Sequence, residues 1–261
     1  MWFANSLVLV SKTGIEIGVA YSVGSKDDKQ FRKYIDTSVV INLFMSITFA
    51  ILLYIFRLDV IKFFNIKSEL VISLANSYLK VVILGVPFTF LNPLFSGVFN
   101  GSANSKVPFI ANSLGLIINI VLDPILIYGY FGLPELGVRG AAVATTLSQI
   151  VVTSIFVIFS IKDGKILKGF NLIKNFSKPT FYEVLRLGVP TAFKSCIFAF
   201  ISTILLRIIA SWGESAVAAE NVAVQIEAIN WMTVEGFSIA LCALIGQNYG
   251  AKNYDNIVLG Y

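Results

Sequence analysis

Histidine is absent from this 261-residue chain, and cysteine occurs only twice, as Cys196 and Cys242. Without histidine there is no Cys/His zinc site and no His-based acid–base or nucleophile–base pair. Two cysteines this far apart within apolar runs form no disulfide framework and serve as small hydrophobes. Charge is also scarce. Asp, Glu, Lys and Arg make up 13% of the chain, against roughly 25% in soluble domains. No phosphate-cradling GxxxxGK[ST] occurs, so the chain by itself is no ATP-driven pump. The connecting segments are too short for a soluble catalytic domain, and no clustered acid–base pair is visible. The chain therefore reads as a non-enzyme that implies no cofactor.

What it has in abundance is apolar sequence. Hydrophobic residues account for 56% of positions, with a mean hydropathy of +0.80. Charged, Gly and Pro clusters punctuate seven candidate spans, at about 2–24, 34–56, 70–100, 107–129, 138–161, 182–211 and 216–246. Each exceeds the ~20 residues a helix needs to cross a bilayer. Helices are the open-chain structures that satisfy their own backbone in lipid. The expected fold is all-α, a polytopic membrane helix bundle, with the bilayer as its first partner.

Loops joining successive spans alternate sides. One set carries Lys26, Lys29, Arg32, Lys33, Lys106, Lys162, Lys165, Lys168, Lys174, Lys178 and Lys252, and the other carries Arg57, Lys62, Lys67 and Arg139. The richer set belongs in the cytoplasm. The net charge of +5 therefore reports topology and not a nucleic-acid partner. Met1 falls outside, directly against the first span, which is expected if a preceding span is missing. Gly24-Ser25-Lys26-Asp27 and Gly250-Ala251-Lys252-Asn253 share one pattern. Both follow outside-to-inside spans, as parallel transporter repeats would.

Polar residues inside the spans are the candidate functional groups, because an ionisable side chain at membrane depth is costly. Asn112, Asn119 and Asp123 share one stripe of the fourth span. An amide oxygen and a carboxylate one turn apart are suited to a small hard cation. The bland alternative puts Asp123 near the outer headgroups. In the first span Asn5, Lys12 and Glu16 repeat that spacing. Lys12 and Glu16 are read either as a buried i, i+4 ion pair or as part of a proton or substrate site. Gln225, Glu227, Asn230, Glu235 and Ser238 form a polar sector in the seventh span. It is read as a cavity or proton site, with Glu227 paired to Arg207 or Lys194 as the alternative. Pro87, Pro93, Pro124 and Pro190 sit within spans, where each removes a backbone hydrogen bond; Pro87, Pro124 and Pro190 are the candidate bending points.

Residues 119–149, "NIVLDPILIYGYFGLPELGVRGAAVATTLSQ", and 212–255, ending "LIGQNYGAKNYD", resemble the multidrug and toxic compound extrusion (MATE) family. The resemblance runs along essentially the whole chain. It implies a fold of twelve transmembrane helices in two six-helix bundles around a central cavity, exporting organic cations and other amphiphiles in exchange for Na+ or H+. On that template the chain is a fragment of about seven helices, from helix 2 to helix 8. Residues 1–161 are most of the N-terminal bundle, 162–180 a cytoplasmic inter-bundle loop, and 181–261 the start of the C-terminal bundle. The two Gly-x-Lys sentences become the cytoplasmic ends of helices 2 and 8.

The resemblance further assigns Asn119, Asp123 and Thr145 to a coupling-ion site, with Na+ held at Asn119 and Asp123. A helix 1 aspartate has no counterpart here. Phe198 stands where another branch carries a helix 7 glutamate, which argues against that branch's site. The expected setting is a bacterial inner (plasma) membrane, with the missing helices supplied by the rest of a longer chain. Rival readings are a lipid-linked oligosaccharide flippase of the same superfamily, for which Lys12, Lys80, Lys194 and Arg207 would hold pyrophosphate, and a non-transporting remnant.

The topology is open to a direct check. Single cysteines at 25–33 and 162–179, in a background lacking Cys196 and Cys242, should resist a membrane-impermeant thiol reagent in intact cells. Cysteines at 130–138 should react.

Overall fold

A computed structural model describes residues 2–63, 68–166 and 176–260. Its helices are α1 (Trp2–Gly24), α2 (Asp28–Phe63), α3 (Glu69–Gly101), α4 (Lys106–Tyr128), α5 (Val138–Asp163), α6 (Lys178–Ala210), α7 (Glu214–Gly250) and the short α8 (Tyr254–Gly260). A 3-10 turn, Tyr130–Gly132, lies between α4 and α5. Seven of the helices are long and apolar enough to cross a membrane, matching the seven spans read from the sequence. Lys67, Lys168 and Lys174 of the topology argument, and residues 167–175 of the 162–180 loop, lie outside the described residues.

Several helices outrun their apolar cores because capping residues sit in the flanking polar sequence. Asp27 Oδ1 accepts from the backbone N–H of Lys29 and Gln30 at 3.0 and 2.9 Å. It thereby starts α2 before the apolar run begins. Ser177 accepts from Thr180 N–H ahead of α6, and Pro179 occupies the first turn, where its missing donor is harmless. With 36 residues, α2 is about 54 Å long at ~1.5 Å per residue, well beyond the ~30 Å hydrocarbon core. The helices continue through Pro87, Pro93, Pro124 and Pro190.

The chain divides into two compact units. One comprises Met1–Ser38, Gly97–Ala103 and Ser177–Tyr261, and the other Val39–Ser96 and Asn104–Phe176. The boundaries fall inside α2 and α3. This is a division by contact, whereas 1–161, 162–180 and 181–261 is a division by repeat.

In the first unit α1 packs on α6 and α7 through glycine. Gly14 lies on Val184, Gly188 on the Val10 backbone, Gly246 on Ala20, Gly24 on the Gln247 carbonyl and Gly250 on the Tyr21 carbonyl. Without side chains at the crossing, backbones approach closely, as small residues permit between membrane helices. Helices α1 and α7 run parallel, since Ala20 meets Gly246 and Lys12 meets Glu235.

The two repeated sentences fold identically. Ser25 N–H donates to Tyr21 O and Ala251 N–H to Gln247 O, both at 2.9 Å. Lys26 and Lys252 donate to Val23 and Tyr249, and Asp27 and Asn253 to Ser22 and Asn248. Lys26 and Lys252 adopt left-handed φ of 57° and 59°, which closes each helix end. Ala103, with φ 57°, repeats the turn after α3.

In the second unit α4 and α5 pack antiparallel, with Gly115 against Val152 and Gly140 against the Leu126 carbonyl. A polar network threads the apolar core. Asn92 donates to Gln149 Oε1 at 2.6 Å and accepts from Thr153 Oγ1 at 2.6 Å. Asn42 donates to Phe90 O at 3.0 Å. Phe95 stacks on Phe156. The lipid-compatible face of α4 carries Phe109, Leu116 and Ile120, all well exposed.

Because a side chain at Gly188 would meet the Val10 backbone, which cannot yield, Gly188→Leu should destabilise the folded protein by at least the ~1–3 kcal/mol typical of overpacking. Gly236→Ala, where a Cβ meets nothing within 4 Å, should not. Thermal unfolding in detergent, followed by loss of the monodisperse peak, compares the two.

Candidate functional site

The candidate site residues fall in two groups of polar side chains within the spans, one in each unit. The first is the α4 stripe. Asn119 and Asp123 are both half-buried, and Asn119 Nδ2 donates to Asp123 Oδ1 at 3.4 Å. One helical turn thus brings the amide and the carboxylate together, as their spacing predicts. Asn112, at the other end of the stripe, is exposed.

Thr145 belongs to α5, and its depth follows from the packing. Gly140 of α5 faces Leu126 of α4, and Val152 faces Gly115. Between these fixed points, antiparallel helices carry Thr145 to a level between Asn119 and Asp123. Its hydroxyl donates to Ala141 O at 3.0 Å, the back-bond common for threonine in helices, and keeps its lone pairs available. The loop closes firmly beside this site. Leu136 and Gly137 N–H donate to Leu126 O and Ile127 O, each at 3.1 Å. Pro124, half-buried, follows Asp123 directly and removes the hydrogen bond to the carbonyl one turn earlier.

The second group spans α1 and α7, and here the structure corrects the sequence reading. The ammonium of Lys12 does not bond to Glu16 on its own helix. It bonds to Glu235 Oε1 on α7 at 3.2 Å. The parallel packing of α1 on α7 brings a partner from across the interface, which spacing along one helix cannot reveal. Glu16 is buried, and its Oε1 has no hydrogen-bond partner among the described residues.

The suggested pairing of Glu227 with Arg207 or Lys194 also gives way. Glu227 Oε1 accepts from Trp231 Nε1 at 2.9 Å, one turn along α7. The Trp231 ring meets Phe198 of α6 edge-on at 6.4 Å. Phe198 therefore meets the indole that donates to the Glu227 carboxylate. Gln225 and Glu227 are both exposed, on different sides of α7. Pro87 is half-buried in α3, and Pro190 is exposed in α6.

The MatE family model matches residues 1–125 and 190–259. The chain belongs to the MatE family. A probable multidrug resistance protein NorM from Thermotoga maritima is 30% identical over 259 residues, covering 98% of this chain and 55% of that protein. A probable multidrug resistance protein YoeA from Bacillus subtilis is 27% identical over 95% of this chain and 53% of that protein. Among solved structures, a MATE protein in the bent conformation matches 99% of this chain with a TM-score of 0.85 at 25% identity, covering 57% of that chain. An outward-facing multidrug resistance MATE family transporter matches with a TM-score of 0.84 at 24% identity.

The chain thus spans about half the length of the curated relatives it matches. Its spans and these relatives make it a multi-pass inner-membrane protein.

Sequence reasoning missed the Lys12–Glu235 pair and the Asn92–Gln149–Thr153 network. Gln149 and Thr153, four apart in α5, were the available signal for the network. Its partner Asn92 lies on another helix. For the ion pair, a double-mutant cycle of Lys12→Met and Glu235→Gln on unfolding in detergent should give a coupling on the order of 1 kcal/mol. At low pH, with Glu16 protonated, Lys12→Met with Glu16→Gln should give less.

Proposed function

We propose that this chain is part of a secondary active transporter that exports amphiphilic or cationic compounds by antiport with Na+ or H+. The observation that supports this most directly is the Asn119–Asp123 contact inside α4, with Thr145 at the same depth, in a chain of the MatE family. A carboxylate and neutral oxygens from one turn of α4 and the facing turn of α5 offer the hard oxygen ligands that a small cation takes. A proton on Asp123 would remove the same charge. Either event neutralises an acid that is costly at membrane depth, and the carbonyl freed by Pro124 gives α4 a point at which to change its bend. Ion binding would then favour one access state over the other by its differential affinity for the two.

For the substrate, α7 offers Glu227 and Trp231, one turn apart, beside Phe198 of α6. A carboxylate with aromatic neighbours attracts a lipophilic cation through charge and ring face together. This favours a cationic substrate over the pyrophosphate of a lipid-linked oligosaccharide. Of the four basic groups that the flippase reading draws on, Lys12 is engaged by Glu235. The named relatives are multidrug resistance proteins. Nothing in this reading calls for enzymatic chemistry.

In the whole transporter, at matched expression, Asp123→Asn should abolish ion-driven ethidium efflux from vesicles while leaving membrane insertion intact. Asn119→Ala should raise the ion concentration needed for half-maximal efflux, because a neutral ligand contributes less than a carboxylate. Imposing Na+ and proton gradients separately identifies the coupling ion. Efflux at the parental rate from Asp123→Asn overturns the assignment of the site.

A further inference from the structure

Lys12 stands between two carboxylates on different helices. Glu235 of α7 holds its ammonium at 3.2 Å, while Glu16 follows it by one turn on α1, within reach of a lysine stem. The two acids differ sharply in setting. The Glu235 side chain is 62% exposed. Glu16 is 6% exposed, with Oε1 unpartnered among the described residues.

The charged groups that act on Glu16 are Lys12 from its own helix and Glu235 from α7, and the Cys242 thiol of α7 also faces it. The end of α3 presents Gly97 and Gly101 to this stretch of α1. Helix α6 meets α1 at Val184 and Gly188, and Tyr34 of α2 lies against Gly18. A carboxylate so enclosed, with one oxygen bare, is stable only when a proton or a cation neutralises it.

We propose that Glu16 is a proton-binding site and that Lys12 is the arm it controls. With a proton on Glu16 Oε1, that oxygen bears no charge, the ammonium stays on Glu235, and α1 is tied to α7. The three groups then carry no net charge. When Glu16 gives its proton to water, they carry one net negative charge. The ammonium swings to the buried carboxylate on its own helix, where pairing is needed most, and Glu235 is released to solvent or to a cationic ligand. The only bond made or broken is the carboxyl O–H, and water supplies and accepts the proton. The tie is therefore present at low pH and lost as pH rises through the titration of Glu16.

Because the cytoplasmic ends of α1 and α7 are locked by Gly24 and Gly250, opening would separate their opposite ends. This site lies in a different unit from Asp123 and does not depend on the role proposed for that residue.

The test uses the whole transporter in an Asp123→Asn background, with Cys196 and Cys242 replaced by alanine. Infrared difference spectra between acidic and alkaline buffer should contain a carboxylic C=O band that Glu16→Gln removes and Glu235→Gln retains. Spin labels at Asn5 and Val222, on the ends of α1 and α7 remote from the glycine lock, should give a narrow distance distribution at low pH that broadens at high pH. Glu16→Gln should stay narrow throughout, and Lys12→Met broad throughout. Glu16→Asp, which keeps the acid should glutamine impair folding, should shift the band and retain the pH-dependent distance. A band that survives in Glu16→Gln overturns the proton site. A distance independent of pH, with the Glu16 band present, overturns the switch.

Discussion

Helix α1 is held by backbone pressed on backbone. At Gly24, Gly188 and Gly250 no side chain separates it from α6 or α7, and in each case a Cβ would strike a neighbouring main chain. In a bilayer this contact has a particular importance. Lipid is as apolar as leucine, so helices gain little by hiding apolar surface from one another and associate through close packing and polar contacts. The parallel register of α1 and α7 follows from this grip. The register in turn brings Lys12 to Glu235 and leaves Glu16 enclosed. A charge pair that looks like chemistry is thus a consequence of where glycines fall.

The second unit uses the same device for a different end. Gly115 and Gly140 fix α4 against α5 at two heights, and those two points determine the depth of every residue between them. Thr145 reaches the level of Asn119 and Asp123 for that reason alone. The Asn92–Gln149–Thr153 network adds directional bonds where apolar packing has none to give. Its donors and acceptors satisfy one another away from water, which an isolated amide in hydrocarbon cannot do without a cost of several kcal/mol.

The repeated turn connects sequence to architecture in a further way. Two segments with the pattern Gly-(Ser/Ala)-Lys-(Asp/Asn) make the same three backbone hydrogen bonds and place the same lysine in the left-handed region. Each is a helix stop in which the third residue closes the last turn. Glycine at the first position lets the partner helix come close, since Gly24 and Gly250 each touch the other helix's last turn. The glycine is conserved between the copies for packing, and the turn geometry falls on the lysine.

The sequence by itself determined what depends on local order. Apolar length gave the seven spans, basic loops gave the expected orientation, and spacing along one helix gave the Asn119–Asp123 contact, since residues four apart must share a face. Motif resemblance gave the family. Capping by Asp27 and Ser177 came from the structure, and the apolar pattern alone placed α2 several residues late. What only the tertiary structure decided depends on which helix lies beside which. Lys12 pairs with Glu235 and not Glu16, Glu227 is held by Trp231 and not by a basic residue of α6, and Phe198 faces that same indole. A lysine can reach a carboxylate one turn along its helix or one across an interface with equal ease. The choice is made by the glycine-set distance between helices, a quantity that no spacing along a single helix contains.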